Sequence, residues 1–345
     1  MLYTSERNYG CRFLEIEIFS YRAIILENEK IRTTFILDKG TEIIEFNFKE
    51  SDTDFIWRSP QGLSCLKKIR FAKKDDHILT DGYTGGWFEC FPSLGEACVY
   101  KGACIPHYGE VCYLPWEYTV VKDEPGEVSI KCFVKTTKTP YHMEKTFTIK
   151  SGEPLLYIEE EITNTGGVDL HYQWGHHPNL GSNIINGDSF IDMPGGEVQV
   201  EYSSPHSRFV ENTEGIWPYL KGKDGADIDL RRIQPENSGI NEVLNVSNLK
   251  EGWTSIFNPK KNLGFELSWD LDEFRHNSIW HVCNGDDSYP RYGNTYVLGF
   301  MPRNDTEWGL EKSANMGNCP IVKPGETKTV WLKARVIRER RFTVY

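Results

Sequence analysis

Short runs rich in Val, Ile, Phe, Tyr and Thr recur along the chain, each bounded by clusters of Gly, Pro, Asn and Asp. Early examples are Tyr21–Glu27, Lys30–Leu37, Glu42–Phe48, Glu127–Lys135 and His142–Lys150. Later ones are Leu155–Thr163, Gly196–Tyr202, Leu263–Trp269, Thr295–Phe300 and Lys328–Val336. Several alternate apolar with polar positions; in Thr146-Phe147-Thr148-Ile149-Lys150, Phe147 and Ile149 share one face. A period of two over many short segments predicts antiparallel sheets with one buried face. Long amphipathic helical windows are missing, so the pattern predicts a mainly β sandwich or barrel and argues against a parallel α/β fold. Turn chemistry agrees: Glu27-Asn28-Glu29, Asp38-Lys39-Gly40 and Asp123-Glu124-Pro125-Gly126 separate successive runs. The stretch 203–252 is poor in strand signals and is expected to be an irregular excursion.

The chain has 345 residues. Length alone suggests roughly two domains, but large sandwiches often run long as one unit. No Pro/Ser-rich linker or fixed-period repeat divides it, so one domain over 1–345 is expected, with its core at about 20–337. The formal charge of −11, with scattered basic residues, makes nucleic acid and anionic lipid poor partners. The basic runs are short: Lys67-Lys68, Lys73-Lys74 and Arg338 to Arg341. The first eleven residues show no apolar leader, and no apolar stretch approaches the ~20 residues that span a bilayer. A cytoplasmic protein away from membranes is expected, its nine cysteines reduced. Cys90, Cys98, Cys104 and Cys112 lack the paired CxxC spacing of structural zinc sites, so no metal is expected.

Three segments mix titratable, aromatic and glycine residues. In Gly85-Gly86-Trp87-Phe88-Glu89-Cys90-Phe91-Pro92-Ser93 a carboxylate lies between aromatics. That combination suits a sugar, since aromatic faces stack on pyranose C–H surfaces and carboxylates accept hydroxyl hydrogen bonds. It equally suits a strand entry with buried aromatics and an exposed Glu. In Pro106-His107-Tyr108-Gly109-Glu110 the imidazole and the carboxylate are three residues apart. The richest segment runs from His171 through Trp174, Gly175, His176, His177, Pro178 and Asn179 to Gly181. Histidine exchanges protons near neutral pH. Adjacent residues of a strand face opposite ways, so at most one of His176 and His177 is expected to face a given cleft. Arg291 and Arg303 are of the type that grips a phosphate or uronate, and Asp286-Asp287 reads first as a turn.

Taken in order, the segments resemble the aldose 1-epimerase (galactose mutarotase) superfamily, in its uncharacterised aldose-epimerase-like branch. Lys30–Leu37 with Asp38-Lys39-Gly40-Thr41-Glu42 looks like the family's opening, and Phe55-Ile56-Trp57-Arg58-Ser59-Pro60 like its next segment. Gly86–Pro92 and His107–Glu110 are similar to its GWxECFP and HGE segments, and His177-Pro178-Asn179-Leu180 to its histidine motif. Tyr296 to Pro302 and Val322-Lys323-Pro324-Gly325-Glu326 resemble its closing pattern, GxEP followed by LxPGE. The resemblance implies a galactose-mutarotase-like β-supersandwich of large twisted antiparallel sheets, with a monosaccharide or modified sugar as partner, no cofactor, and a monomer or homodimer. It also implies an acid–base isomerase that interconverts the anomers of a hexose through ring opening. The general acid carried over is His177, with His107 as second cleft histidine and His176, Asn179 and Arg291 also reaching substrate. Trp87, Phe91, Tyr108 and Trp174 would be the stacking walls. The family's base falls on Met301, which cannot take a proton, so Glu89 or Glu110 is expected to substitute, ahead of Glu307 and Glu311. Two further readings stay open: a binding module without turnover, and lyase or hydrolase chemistry by Glu89 with Glu110.

Overall fold

A computed structural model describes residues 6–63 and 82–341. Lys67-Lys68 and Lys73-Lys74 lie outside the described residues. Two large antiparallel sheets dominate, one of fourteen strands and one of eight. Among the described residues the α-helix is short, Leu310–Met316. The eight-stranded sheet runs from Phe190–Asp192 through Trp253–Asn258, Leu263–Trp269, Thr327–Ile337, Leu155–Asn164, Tyr141–Lys150 and Glu127–Lys135 to Glu117–Glu124. The middle of the larger sheet runs Glu42–Phe48, Trp87–Cys90, Gly175–Leu180, Tyr296–Arg303, His276–Cys283, Ile240–Ser247 and Glu197–Ser203. These neighbours come from distant parts of the sequence. Residues far apart in the chain therefore meet at the sheet's centre.

The strand pattern explains the layering. Along Tyr141–Lys150 burial alternates without a break, the apolar Met143, Phe147 and Ile149 pointing inward with Lys145 between them. Phe35 of the large sheet stacks on Phe147 of the small one at 4.5 Å, and Phe46 meets Phe265 edge-on at 5.6 Å. One apolar cluster joins the two inner faces. At about 25 cal/mol per Å² of apolar surface, such burial is the main favourable term in folding.

The expected strands are present, four with the expected bounds, Tyr21–Glu27, Glu42–Phe48, Glu127–Lys135 and Leu263–Trp269, and the others with ends shifted by up to three residues; Thr295–Phe300, for instance, is Tyr296–Arg303. The expectation of an irregular excursion over 203–252 is corrected. That stretch holds Glu214–Ile216, Tyr219–Lys221, Asp227–Asp229 and Ile240–Ser247, the last lying next to His276–Cys283 in the large sheet. Its polar positions concealed it: Asn241, Glu242 and Asn245 are buried, and Glu242 is paired with Arg208. A strand whose two faces are both covered loses the alternation that sequence reading depends on.

Candidate functional site

The pairing of Trp87–Cys90 with Gly175–Leu180 decides which side chains meet. His177 lies opposite Phe88, and His176 opposite Glu89. Because side chains alternate faces, His177 and Phe88 leave on one side of the sheet and His176 and Glu89 on the other. The continuing ladder extends the first face: Asn179 pairs with Gly299, Gly299 with Trp280, Met301 with Ser278, and Trp280 with Val243. Phe88, His177, Gly299, Met301, Ser278 and Trp280 form the floor of a cavity of about 190 Å³. Tyr83, His107, Tyr108, Pro290, Arg291 and Trp308 complete it from loops and strand ends. The volume is below the ~300–1,000 Å³ of clefts for drug-sized ligands and suits one small ring.

His177 is clamped by aromatics. Its imidazole stacks on Phe88 at 4.9 Å and 11° and meets Trp280 and Tyr108 edge-on at 5.9 and 6.2 Å. Its Nδ1 is buried with no protein partner, as is Ser278 Oγ in the same cavity. A buried polar atom without a partner costs about 1–3 kcal/mol, so a polar ligand atom that reached either of these two would be favoured. Burial, with smaller contributions from Arg291 and Arg303, holds the His177 pKa down at about 4. At neutral pH it is therefore neutral imidazole, an acceptor at one nitrogen and a donor at the other. Position 299 must be small: a Cβ there would sit 3.0 Å from His177 Cε1 and 3.1 Å from Asn179 Oδ1. Asn179 itself donates to the carbonyls of Gly85 and Gly86, which ties its strand to the segment leading into Trp87.

Tyr108 is the centre of the cavity's far wall. Its ring contacts Phe88, His177, His107 and Trp308, and its backbone sits at φ 62°, a region bulky residues seldom occupy. Gly109 makes that turn possible: at φ 83° its missing Cβ would lie 2.1 Å from the Phe91 carbonyl oxygen. Strain held in place by surrounding structure is common where a side chain must be aimed.

The other sequence candidates are placed elsewhere. Glu89 and His176 lie between the two sheets, in a fully buried ionic group. Lys145 Nζ contacts Glu89 Oε2 at 2.5 Å and Glu160 Oε1 at 3.2 Å, and His176 Nε2 contacts Glu160 Oε2 at 2.9 Å. Trp174 donates its indole N–H to Glu89 Oε1 at 2.6 Å, and Trp87 donates to His176 Nδ1 at 3.3 Å. Burial, together with the neighbouring Glu160 charge, raises Glu89. Burial also works to raise Glu160, but the contacts to His176 and Lys145 outweigh it and hold Glu160 down. Three potential ligand atoms of Glu89, Glu160 and His176 lie within 4.8 Å of one another. The Lys145 ammonium already supplies a cation there. Phe91, Trp87 and Trp174 are likewise inside the sandwich, so of the four expected stacking walls Tyr108 alone lines the cavity.

Glu110 is also turned away. Its two oxygens accept from the backbone N–H groups of Thr137, Lys138 and Thr139 and from the hydroxyls of Thr137 and Thr139. Among the described residues that line the cavity there is no Asp or Glu, and Met301 does line it. Sequence reasoning missed Tyr83, Phe88, Ser278, Trp280 and Trp308. Phe88 was within reach, since it alternates with Glu89 and shares the His177 face; the others needed the strand order.

A family model described as "Domain of unknown function (DUF4432)" matches residues 20–336. The chain belongs to that family. No curated protein matches its sequence. A candidate aldose 1-epimerase from Klebsiella pneumoniae is similar in structure, with TM-score 0.72 at 14% identity, over 96% of this chain and 89% of that one. A galactose mutarotase-like protein from Clostridium acetobutylicum gives TM-score 0.64 at 11% identity, over 95% and 98%. A candidate aldose 1-epimerase from Escherichia coli K12 gives 0.60 at 12%, over 94% and 99%. The fold is the galactose-mutarotase-like one. Among the described residues no helix is long and apolar enough to cross a membrane, and the eight described cysteines are free thiols.

Proposed function

We propose that the protein takes one sugar ring into the cavity over Phe88 and His177 and interconverts its anomers, an aldose 1-epimerase-like activity. The observation that carries this reading is the unpartnered His177 Nδ1 in an aromatic-walled, ring-sized cavity. Tyr108, Trp280 and Trp308 offer faces for the apolar side of a pyranose, and Ser278 Oγ and His177 Nδ1 offer polar contacts for its hydroxyls. Anomer exchange requires a proton to leave the anomeric hydroxyl while another reaches the ring oxygen. Neutral His177 is fitted to accept the first, and His107, the other imidazole lining the cavity, is the partner for the second. Glu89 and Glu110 have no part in this reading, because their oxygens are engaged inside the protein.

Interconversion of the α and β anomers of a sugar panel, followed by polarimetry and by magnetisation-transfer NMR, tests it. The protein should speed exchange for at least one sugar, and His177→Gln should remove the gain while leaving the thermal midpoint near that of the parent. One observation favours a second reading, binding without turnover: Met301 stands in the cavity and no described carboxylate does. Calorimetric binding with unaltered exchange rates would select it over the first.

A further inference from the structure

The charge inside the cavity is one-sided. Arg291 is the charged side chain among the described lining residues. Its guanidinium lies over the Trp280 ring at 4.9 Å, and Nη1 is held by Asp286 Oδ2 at 2.7 Å. Asp286 is in turn fixed by the backbone N–H of Ser288 and by its hydroxyl, so the arginine's direction is set rather than left to solvent. Arg291 Nε is buried and has no partner. The same guanidinium acts on Tyr83, Tyr108 and His177, lowering the pKa of each against the larger effect of burial on the two tyrosines and together with it on the histidine. Those three side chains come from separate parts of the cavity wall, so Arg291 presents its charge to the space they enclose. Asp286 engages one end of the guanidinium, and an anionic acceptor would form a stronger, charge-assisted hydrogen bond with the rest of it than a neutral hydroxyl would.

Resting on the sugar-binding reading above, we propose that the natural ligand is a sugar carrying an anionic group, a carboxylate or a phosphate, and that Arg291 receives it. Arginine matches both groups by paired N–H donors, and hydrogen bonds to charged acceptors are the stronger kind. The aromatic walls then hold the ring while Arg291 fixes which end faces the loop Asp286–Asn294. Uronates and sugar phosphates share this chemistry, and the binding assay separates them.

Calorimetry on the whole chain would use glucuronate and galacturonate, glucose 6-phosphate, their neutral parents glucose and galactose, and inorganic phosphate alone. At low salt, at least one charged sugar should bind ten times or more tighter than its neutral parent, with the advantage shrinking as salt rises. Arg291→Gln should erase that advantage, so that the charged sugar binds the variant no more tightly than its neutral parent does, and Arg291→Lys should restore part of it. Equal or tighter binding of the neutral parents would overturn the charge inference and leave the sugar-binding reading standing. Binding of inorganic phosphate with no sugar bound would overturn both, as would no binding at all. Should Arg291→Gln fail to fold, the Lys variant and the salt dependence of the parent still decide the matter.

Discussion

Replacing Lys145 by methionine should destabilise the protein by about 3–5 kcal/mol, the usual cost of removing one partner from a buried ion pair. The structure gives the reason for the size. The ammonium lies 2.5 Å from Glu89 and 3.2 Å from Glu160, and all three side chains are at most 5% exposed. Methionine would fill the space while leaving two carboxylates facing each other. Unfolding entropy of about 2.1 cal/mol/K per residue converts the loss to a fall of roughly 4–7 °C in the thermal midpoint. Two companion measurements separate the electrostatic cause from simple mispacking. Burial and Glu160 already raise Glu89. Without Lys145 its folded pKa rises further above the unfolded value of about 4.3, so the folded state binds the proton more tightly and the deficit should shrink as pH falls. Adding Glu89→Gln to Lys145→Met should likewise recover most of the lost stability, since it removes the uncompensated charge. Urea unfolding of the parent, the single and the double variant at two pH values measures all of this. A cost below about 1 kcal/mol, or a double variant no more stable than the single, would refute the argument.

Two other outcomes follow from the buried histidines and from Gly299. Burial holds His177 and His276 at about 4 and His281 at about 3, against about 6.5 when unfolded. Their neutral forms are favoured by folding, so this contribution is intact above about pH 6.5 and is lost as pH falls toward each folded value; roughly 2 kcal/mol per histidine should disappear between pH 7 and 5. In urea midpoints at those pH values, His281→Asn should flatten the decline by about that amount, and an equal decline in both proteins would remove the explanation. Gly299→Ala should lower affinity for a bound sugar tenfold or more, because its methyl presses on His177 and Asn179, at a stability cost of about 1 kcal/mol. Unchanged affinity in calorimetry would show that the ligand does not use this face.

The layered β architecture was legible because inward positions in strands such as Tyr141–Lys150 alternate strictly. The strand Ile240–Ser247 was not, since its buried Asn and Glu residues resemble loop composition until their partners are known. At the site, the alternation rule for neighbouring histidines separated His176 from His177 correctly in space, yet it did not say which faced the cavity. That depended on Trp87–Cys90 lying beside Gly175–Leu180 with Glu89 opposite His176. Glu89 looked catalytic for the same reason that it is structural. A carboxylate among tryptophans in a Gly-flanked strand fits a sugar cleft and a buried ion pair equally well, and Lys145, fifty-six residues away, decides between them.

The two faces of Trp87–Cys90 and Gly175–Leu180 therefore carry opposite electrostatic solutions. Inside, Glu89, Lys145, Glu160 and His176 compensate one another, and their hydrogen bonds to Trp87 and Trp174 fix their orientation. Such a group is held by too many partners to exchange protons with a visiting molecule. Across the sheet, one residue further along each strand, the imidazole is neutral and retains an unpartnered nitrogen, while the nearest lining charge is positive. That face is the one on which the proposed sugar would be received. On the proposed reading the anion comes with the ligand, into a cavity that Met301 and Arg291 both line.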